Sequence, residues 1–238
     1  MTSGFAVFPP KGAPVSLASW AREMADVAHA TLLPPPFPDD AARGDGQPVI
    51  VLPGFFTHDG ATARLRDFLV RQGFAPRPWP CGMNLGPMPK VLAQVERQVA
   101  DTAERHGKVA LVGISLGGTI AREIAHRRPA QISRVITLGS PIRLPVVSPL
   151  APFAHATSLL WEPEARATFA RIAHALPVPL TAVVSPIDGI VDWRCCVPEP
   201  GDGEMVEVGN GHSTMASSPE VQRIVADRLA RDNTGASS

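Results

Sequence analysis

Residues 109–125 read VALVGISLGGTIAREIA. An apolar run of strand length, VALV, passes through Gly113-Ile114-Ser115-Leu116-Gly117 into a segment with Ile120, Ala121, Ile124 and Ala125 at helical spacing. A strand that becomes a helix through G-x-S-x-G turns very sharply. The turn strains the serine backbone, and side chains two positions to either side would strike the neighbouring strand and helix. The serine hydroxyl is thereby pushed out at the strand's C-terminal end, above a helix N-terminus whose partial positive charge favours an oxyanion. Ser115 is the candidate nucleophile; without partners elsewhere in the chain the segment would be only a glycine-rich turn.

Working outward, the same alternation continues on both sides. Val49 to Leu52 is a buried-strand run, and Ala61, Leu65, Phe68 and Leu69 mark a helix closed by Gly73. FAPRPW is a weaker strand candidate; Val91, Leu92, Val95 and Val99 mark a second helix ending at Gly107. Strands are expected at 133–138, 179–184 and 204–208, then a last helix with Ser217 and Glu220 at capping-box spacing, Pro219 in its first turn and Val221, Ile224, Val225 and Leu229 on one face. Continuous apolar strands alternating with helices predict an α/β fold, a mainly parallel sheet of about six strands with helices on both faces, over residues 48–231. The alternation breaks between Pro141 and Pro177, where many prolines and apolar residues show no strand period, so 141–177 is expected to be a lid or cap insertion.

Residues 1–47 read as an N-terminal extension. Leu17, Trp20, Met24, Val27 and Ala28 predict an amphipathic helix over roughly 16–31, packed on the domain surface; a weak peripheral membrane contact is the alternative, disfavoured by a single Arg and no Lys. Residues 232–238 are expected to be a disordered tail.

Composition narrows the classes. The 238 residues carry 22 Lys+Arg and 22 Asp+Glu for a formal net charge of zero, which removes the electrostatic term behind most nucleic-acid affinity. With 45% hydrophobic and 18% charged residues the chain is not of a disordered type. Cys81, Cys195 and Cys196 show no CxxC spacing, so neither a disulfide framework nor a structural zinc site is expected. The first residues, MTSGFAVFPPKGAPV, lack the pattern of a secretory signal, and no apolar run reaches ~18 residues; the expectation is a cytoplasmic protein with reduced thiols.

A serine nucleophile needs a histidine base and a carboxylate to orient it. His29, His58 and His106 precede Ser115, His126 lies on the helix after it, and His155 and His174 fall in the insertion. His212, in the loop GNGHSTM between the last strand and the last helix, is the candidate base. For the acid, SPIDGIVDW offers Asp188 and Asp192; Asp188, four residues past a strand end, is favoured, Asp192 remains open and Glu207 is an outsider. An oxyanion needs two backbone donors, for which the amides of Leu116 and Phe55 are the candidates, the latter in VLPGFF after the first strand of the sheet.

Together PGFF, GISLGG, SPIDGIVDW and GHSTM resemble the lipase/esterase branch of the α/β-hydrolase superfamily, small bacterial lipase-like serine hydrolases, over about residues 48–231. The resemblance implies the α/β-hydrolase fold, with Ser115 as nucleophile, Asp188 as acid, His212 as base, and Phe55 and Leu116 as oxyanion donors. Pro53 stands where many members have a histidine, and the first two strands of a full eight-stranded sheet are missing. CGMNLGPM, residues 81–88, also looks like a loop of such hydrolases, with no role that the residues themselves disclose.

The leading function is cleavage of carboxylic esters, esterase or lipase, through an acyl-enzyme on Ser115; an acyltransferase using the same residues and a hydrolase-fold binding module with weak catalysis are the alternatives. The expected partner is a small-molecule ester with an apolar acyl chain, contacted by Phe56, Phe153, Leu160 and Trp161. Neither a cofactor nor a metal is expected, because serine acyl chemistry needs none.

Overall fold

The computed structural model describes residues 16–143, 146–148, 168, 171 and 173–231. Six strands form one sheet: β1 (Pro48–Leu52), β2 (Ala75–Arg77), β3 (Val109–Ile114), β4 (Ile132–Leu138), β5 (Leu180–Val184) and β6 (Glu204–Glu207). Their order is β2-β1-β3-β4-β5-β6 and every neighbouring pair is parallel. The sheet is thus wholly, not mainly, parallel among the described residues. FAPRPW contributes only the short edge strand β2, whose Pro76 has no ladder donor to give.

The strand period of two distributes side chains to two cores. Val49 and Val51 join Ala110, Val112, Ile136 and Leu138 on one face, against α2 (Ala63–Arg71) and the last helix α5 (Pro219–Ala230). Ile50 and Leu52 join Leu111 and Val135 on the other, against α3 (Pro89–His106) and α4 (Leu116–Arg127). Each large apolar side chain so buried contributes roughly 1.5–3 kcal/mol. α4, beneath the centre of the sheet, is buried from Leu116 to Ala125, Arg122 and Glu123 included. Arg122 Nη2 lies 3.2 Å from Asp202 Oδ2 and donates to His174 O at 2.6 Å, while Glu123 pairs with Arg127 at 2.7 Å and with Arg171.

Two local expectations are corrected. Ser217 does not cap α5: its hydroxyl donates to Thr214 O at 2.9 Å within a 3-10 turn, and the helix starts after Ser218, whose side chain makes no cap bond. Helix α1 (Leu17–Leu32) forms where expected, capped by Ser16, but Trp20 and Met24 remain 43% and 40% exposed, and among its described side chains the fully buried one is that of Glu23.

Candidate active site

Parallel strands bring all their C-terminal ends to one rim, where the chemistry-bearing residues collect. Ser115 follows β3 directly, with φ 51° and ψ −124°, a conformation that costs a non-glycine residue about 1–3 kcal/mol. The surroundings hold it there. Its N–H donates to Leu138 O at 2.8 Å, and its carbonyl accepts from Gly118 N–H at 2.9 Å. A Cβ at position 117 would lie 2.7 Å from Pro53 O, so only glycine lets α4 approach the end of β1 this closely.

β5 leads to Ser185, whose carbonyl accepts from Asp188 N–H at 3.0 Å, and β6 leads through Val208 to the loop bearing His212. Asp188 Oδ2 lies 2.6 Å from His212 Nδ1, and both residues are 8% exposed. The other oxygen, Oδ1, accepts from Ile190 N–H at 2.8 Å and Val191 N–H at 2.7 Å. These bonds fix the carboxylate, and the carboxylate fixes the imidazole with its proton on Nδ1, leaving the lone pair on Nε2. Burial alone would lower the His212 pKa; the charge and hydrogen bond of Asp188, with the charge of Glu23, outweigh it and raise the pKa above its ordinary value.

Gly139 ties Ser115 to this pair. It follows Leu138, which holds the Ser115 amide, and a Cβ on it would lie 3.0 Å from His212 Nδ1 and 3.1 Å from Asp188 Oδ2. The end of β4 is therefore flanked by Ser115 on one side and the His212–Asp188 pair on the other. Asp192 is elsewhere: its Oδ1 accepts from Arg194 N–H at 3.0 Å and caps the turn Trp193–Cys196. Glu207 is exposed on β6.

Leu116 opens α4 and Phe55 follows Gly54; among the described residues neither amide donates a hydrogen bond, so both are open to an oxyanion. A Cβ on Gly54 would lie 3.3 Å from Ser115 Cβ, which puts the Phe55 loop beside the serine. Phe56, half exposed with φ 56°, stacks on Phe55 with ring centroids 4.3 Å apart. Phe153, Leu160 and Trp161 lie outside the described residues.

The role of the loop 81–88, illegible in the sequence, is carried by Asn84. Fully buried, it donates from Nδ2 to Pro53 O at 2.8 Å, its N–H reaches Thr57 O at 2.8 Å, and its carbonyl accepts from Phe56 N–H at 2.9 Å. One residue thus stitches both ends of the Phe55 loop. A lone Asn between glycines gave no sign of this, because its partners are backbone atoms about thirty residues away.

The thiols do not compete as nucleophiles. Burial pushes Cys81 up to about 11 and raises Cys195 and Cys196, so all three stay protonated near neutral pH. Among the described residues no group of three or more His, Cys, Asp or Glu could hold a metal ion, and no helix is long and apolar enough to cross a membrane.

No family model matches this sequence, and no curated protein does. Solved structures do. The monoacylglycerol lipase of Paleococcus ferrophilus superposes with a TM-score of 0.58 at 17% identity, over 81% of this chain and 97% of that one. The chain has the α/β-hydrolase fold. The proline iminopeptidase of Mycobacterium smegmatis gives 0.58 at 16% identity over 84% and 94%, and the thioesterase domain of the curacin biosynthetic pathway 0.52 at 16% over 81% and 93%. The three are named a lipase, an iminopeptidase and a thioesterase, so the shared fold leaves the substrate to be argued from the site.

Proposed function

We propose that this protein is a serine hydrolase that cleaves carboxylic esters through an acyl-enzyme on Ser115. The observation that carries the reading is the buried 2.6 Å bond between His212 Nδ1 and Asp188 Oδ2, on the same rim as a serine held at positive φ. His212 Nε2 takes the Ser115 proton as the hydroxyl attacks the ester carbonyl, and Asp188 stabilises the imidazolium that forms. The amides of Leu116 and Phe55 receive the negative charge on the carbonyl oxygen; the raised His212 pKa suits it to return the proton to the leaving alcohol. Water activated by the same imidazole then frees the acid.

An apolar acyl chain is supported by the composition of 141–177, which holds Phe153, Leu160 and Trp161. The test is a panel of esters of graded acyl length run beside a thioester and a prolyl amide, with fluorophosphonate labelling of wild type and Ser115→Ala. Labelling confined to wild type, with esters the best substrates, is the expected result. Preference for the amide or thioester would move the substrate class, and equal labelling of the variant would overturn the nucleophile.

A further inference from the structure

The charged side chain most deeply buried in α1 points at the loops that carry the acid and the base. Glu23 has no exposed surface. Its Oε1 accepts from Gly189 N–H at 2.8 Å and from His212 N–H at 2.5 Å, and its Oε2 accepts from Ser213 N–H at 3.0 Å. One carboxylate therefore joins the residue after Asp188 to His212 itself and to the residue after it. Arg22 adds a bond to Ile187 O on the residue before Asp188.

We propose that Glu23 is a positioning residue of the active site, clamping the Asp188 loop against the His212 loop so that imidazole and carboxylate meet in one geometry. The proposal rests on the assignment of Ser115, His212 and Asp188 given above. Three features argue for a built contact. Both loops carry glycine where they touch the helix: a Cβ at 211 would lie 2.9 Å from Glu23 Oε2, and one at 189 would lie 2.5 Å from Glu23 Cγ and 2.7 Å from Ser19 O. Trp20 and Met24, on the apolar stripe to either side of Glu23, stay largely exposed while the Glu23 carboxylate goes in. Finally, a buried carboxylate is costly unless its oxygens are satisfied, and among the described residues the donors are these backbone amides; no salt bridge with Glu23 is formed there. A brace needing only adhesion would use an apolar side chain at this position.

The clamp has an electrostatic side as well. The ionisable groups that face His212 are Asp188, from the loop after β5, and Glu23, from α1; Cys196, buried beside Asp188, is held neutral. Both carboxylates favour the imidazolium formed during catalysis, and removing either makes that cation less stable.

The test uses the full chain with Glu23→Gln and Glu23→Ala, folding being checked by circular dichroism and thermal melting. Loss of the clamp should lower kcat about 10–100-fold in Glu23→Ala, with KM for a short ester little changed, because the hydrogen bonds Glu23 makes go to the backbone of the two loops. Glu23→Gln, whose amide oxygen can still accept from two of the three N–H groups, should recover part of kcat. In both variants the acid limb of kcat/KM should shift to lower pH. A second measurement needs no turnover: the imidazole proton and nitrogens of His212 are followed by NMR across pH, where Glu23→Gln should titrate at lower pH than wild type. Wild-type kcat and an unmoved His212 titration, with only the melting temperature lowered, would overturn the proposal. An inactive wild type would instead remove the hydrolase reading, and the NMR titration would still decide whether Glu23 governs His212.

Discussion

Ser115 combines a strained backbone with a hydroxyl that packs into no core, so its replacement separates chemistry from folding. Ser115→Ala is expected to lower ester turnover by at least roughly 10³-fold with the melting temperature unchanged, measured by steady-state kinetics and a thermal melt. Asp188→Asn should cost roughly 10³–10⁴-fold in kcat, since an amide facing Nδ1 no longer selects the tautomer with a basic Nε2. Asp192→Asn should stay close to wild type in kcat, because Asp192 caps the Trp193–Cys196 turn and pairs with Arg194, away from His212. In the pH–rate profile, kcat/KM should fall on the acid side as His212 takes up a proton. That limb should lie above 6.5, the ordinary imidazole value, because Asp188 and Glu23 raise the His212 pKa. At this scale the sequence was most readable where chain order and chemistry restrict the choice. His212 and Asp188 emerge from their places after late strands, whereas Glu23 was hidden inside an apolar stripe, three residues after Trp20 and four before Val27. A charge in that position is the signal that could have exposed it.

Among the elements, the loop 81–88 and the turn 53–57 act as one unit held by Asn84. Asn84→Asp keeps the shape but replaces the Nδ2 donor with an acceptor opposite Pro53 O. The variant is expected to lose about 1–3 kcal/mol of stability in a denaturant melt. It should also lose kcat rather than KM, because the Phe55 amide would be misaimed at charge that develops only in the transition state. Helices were legible from periodicity because each buries one face of regular spacing: Leu65, Phe68 and Leu69 in α2, and Val91, Leu92, Val95 and Val99 in α3, all enter a core, whereas the central strands, covered on both faces, were legible as unbroken apolar runs. The same reasoning placed α1 but not the polar contacts of Glu23 to backbone, and it misread the start of α5, where Ser217 spends its hydroxyl on Thr214 O. Local pattern carries no information about a competing acceptor brought in by the turn.

For the whole molecule, α4 is the strut to which distant segments are fastened. Arg122, on that helix, reaches Asp202 from the loop before β6 and the His174 carbonyl from the segment before β5. Arg122→Ala would leave the buried Asp202 carboxylate without this guanidinium, and a loss of about 3–5 kcal/mol is expected. In a chain of this size that lowers the melting temperature by roughly 2–4 °C per kcal/mol, readable by calorimetry. A mainly parallel sheet was legible from the continuous apolar runs of the central strands, but the pinning of separate loops to one arginine was not, since its partners lie 52 and 80 residues away. The seat of Glu23 is more remote still: its partners on the His212 loop lie 189 and 190 positions downstream. At ~5–20 residues per second, a ribosome takes roughly 10–40 s to make that intervening chain. Over that interval α1 is a 16-residue helix without its amides, little longer than the ~12–15 residues below which an isolated helix is marginal in water. Helix α1 can thus take its seat only after the His212 loop has been made, and a nascent chain stalled before residue 212 carries the Ser115 elbow without the imidazole that the proposed reaction requires.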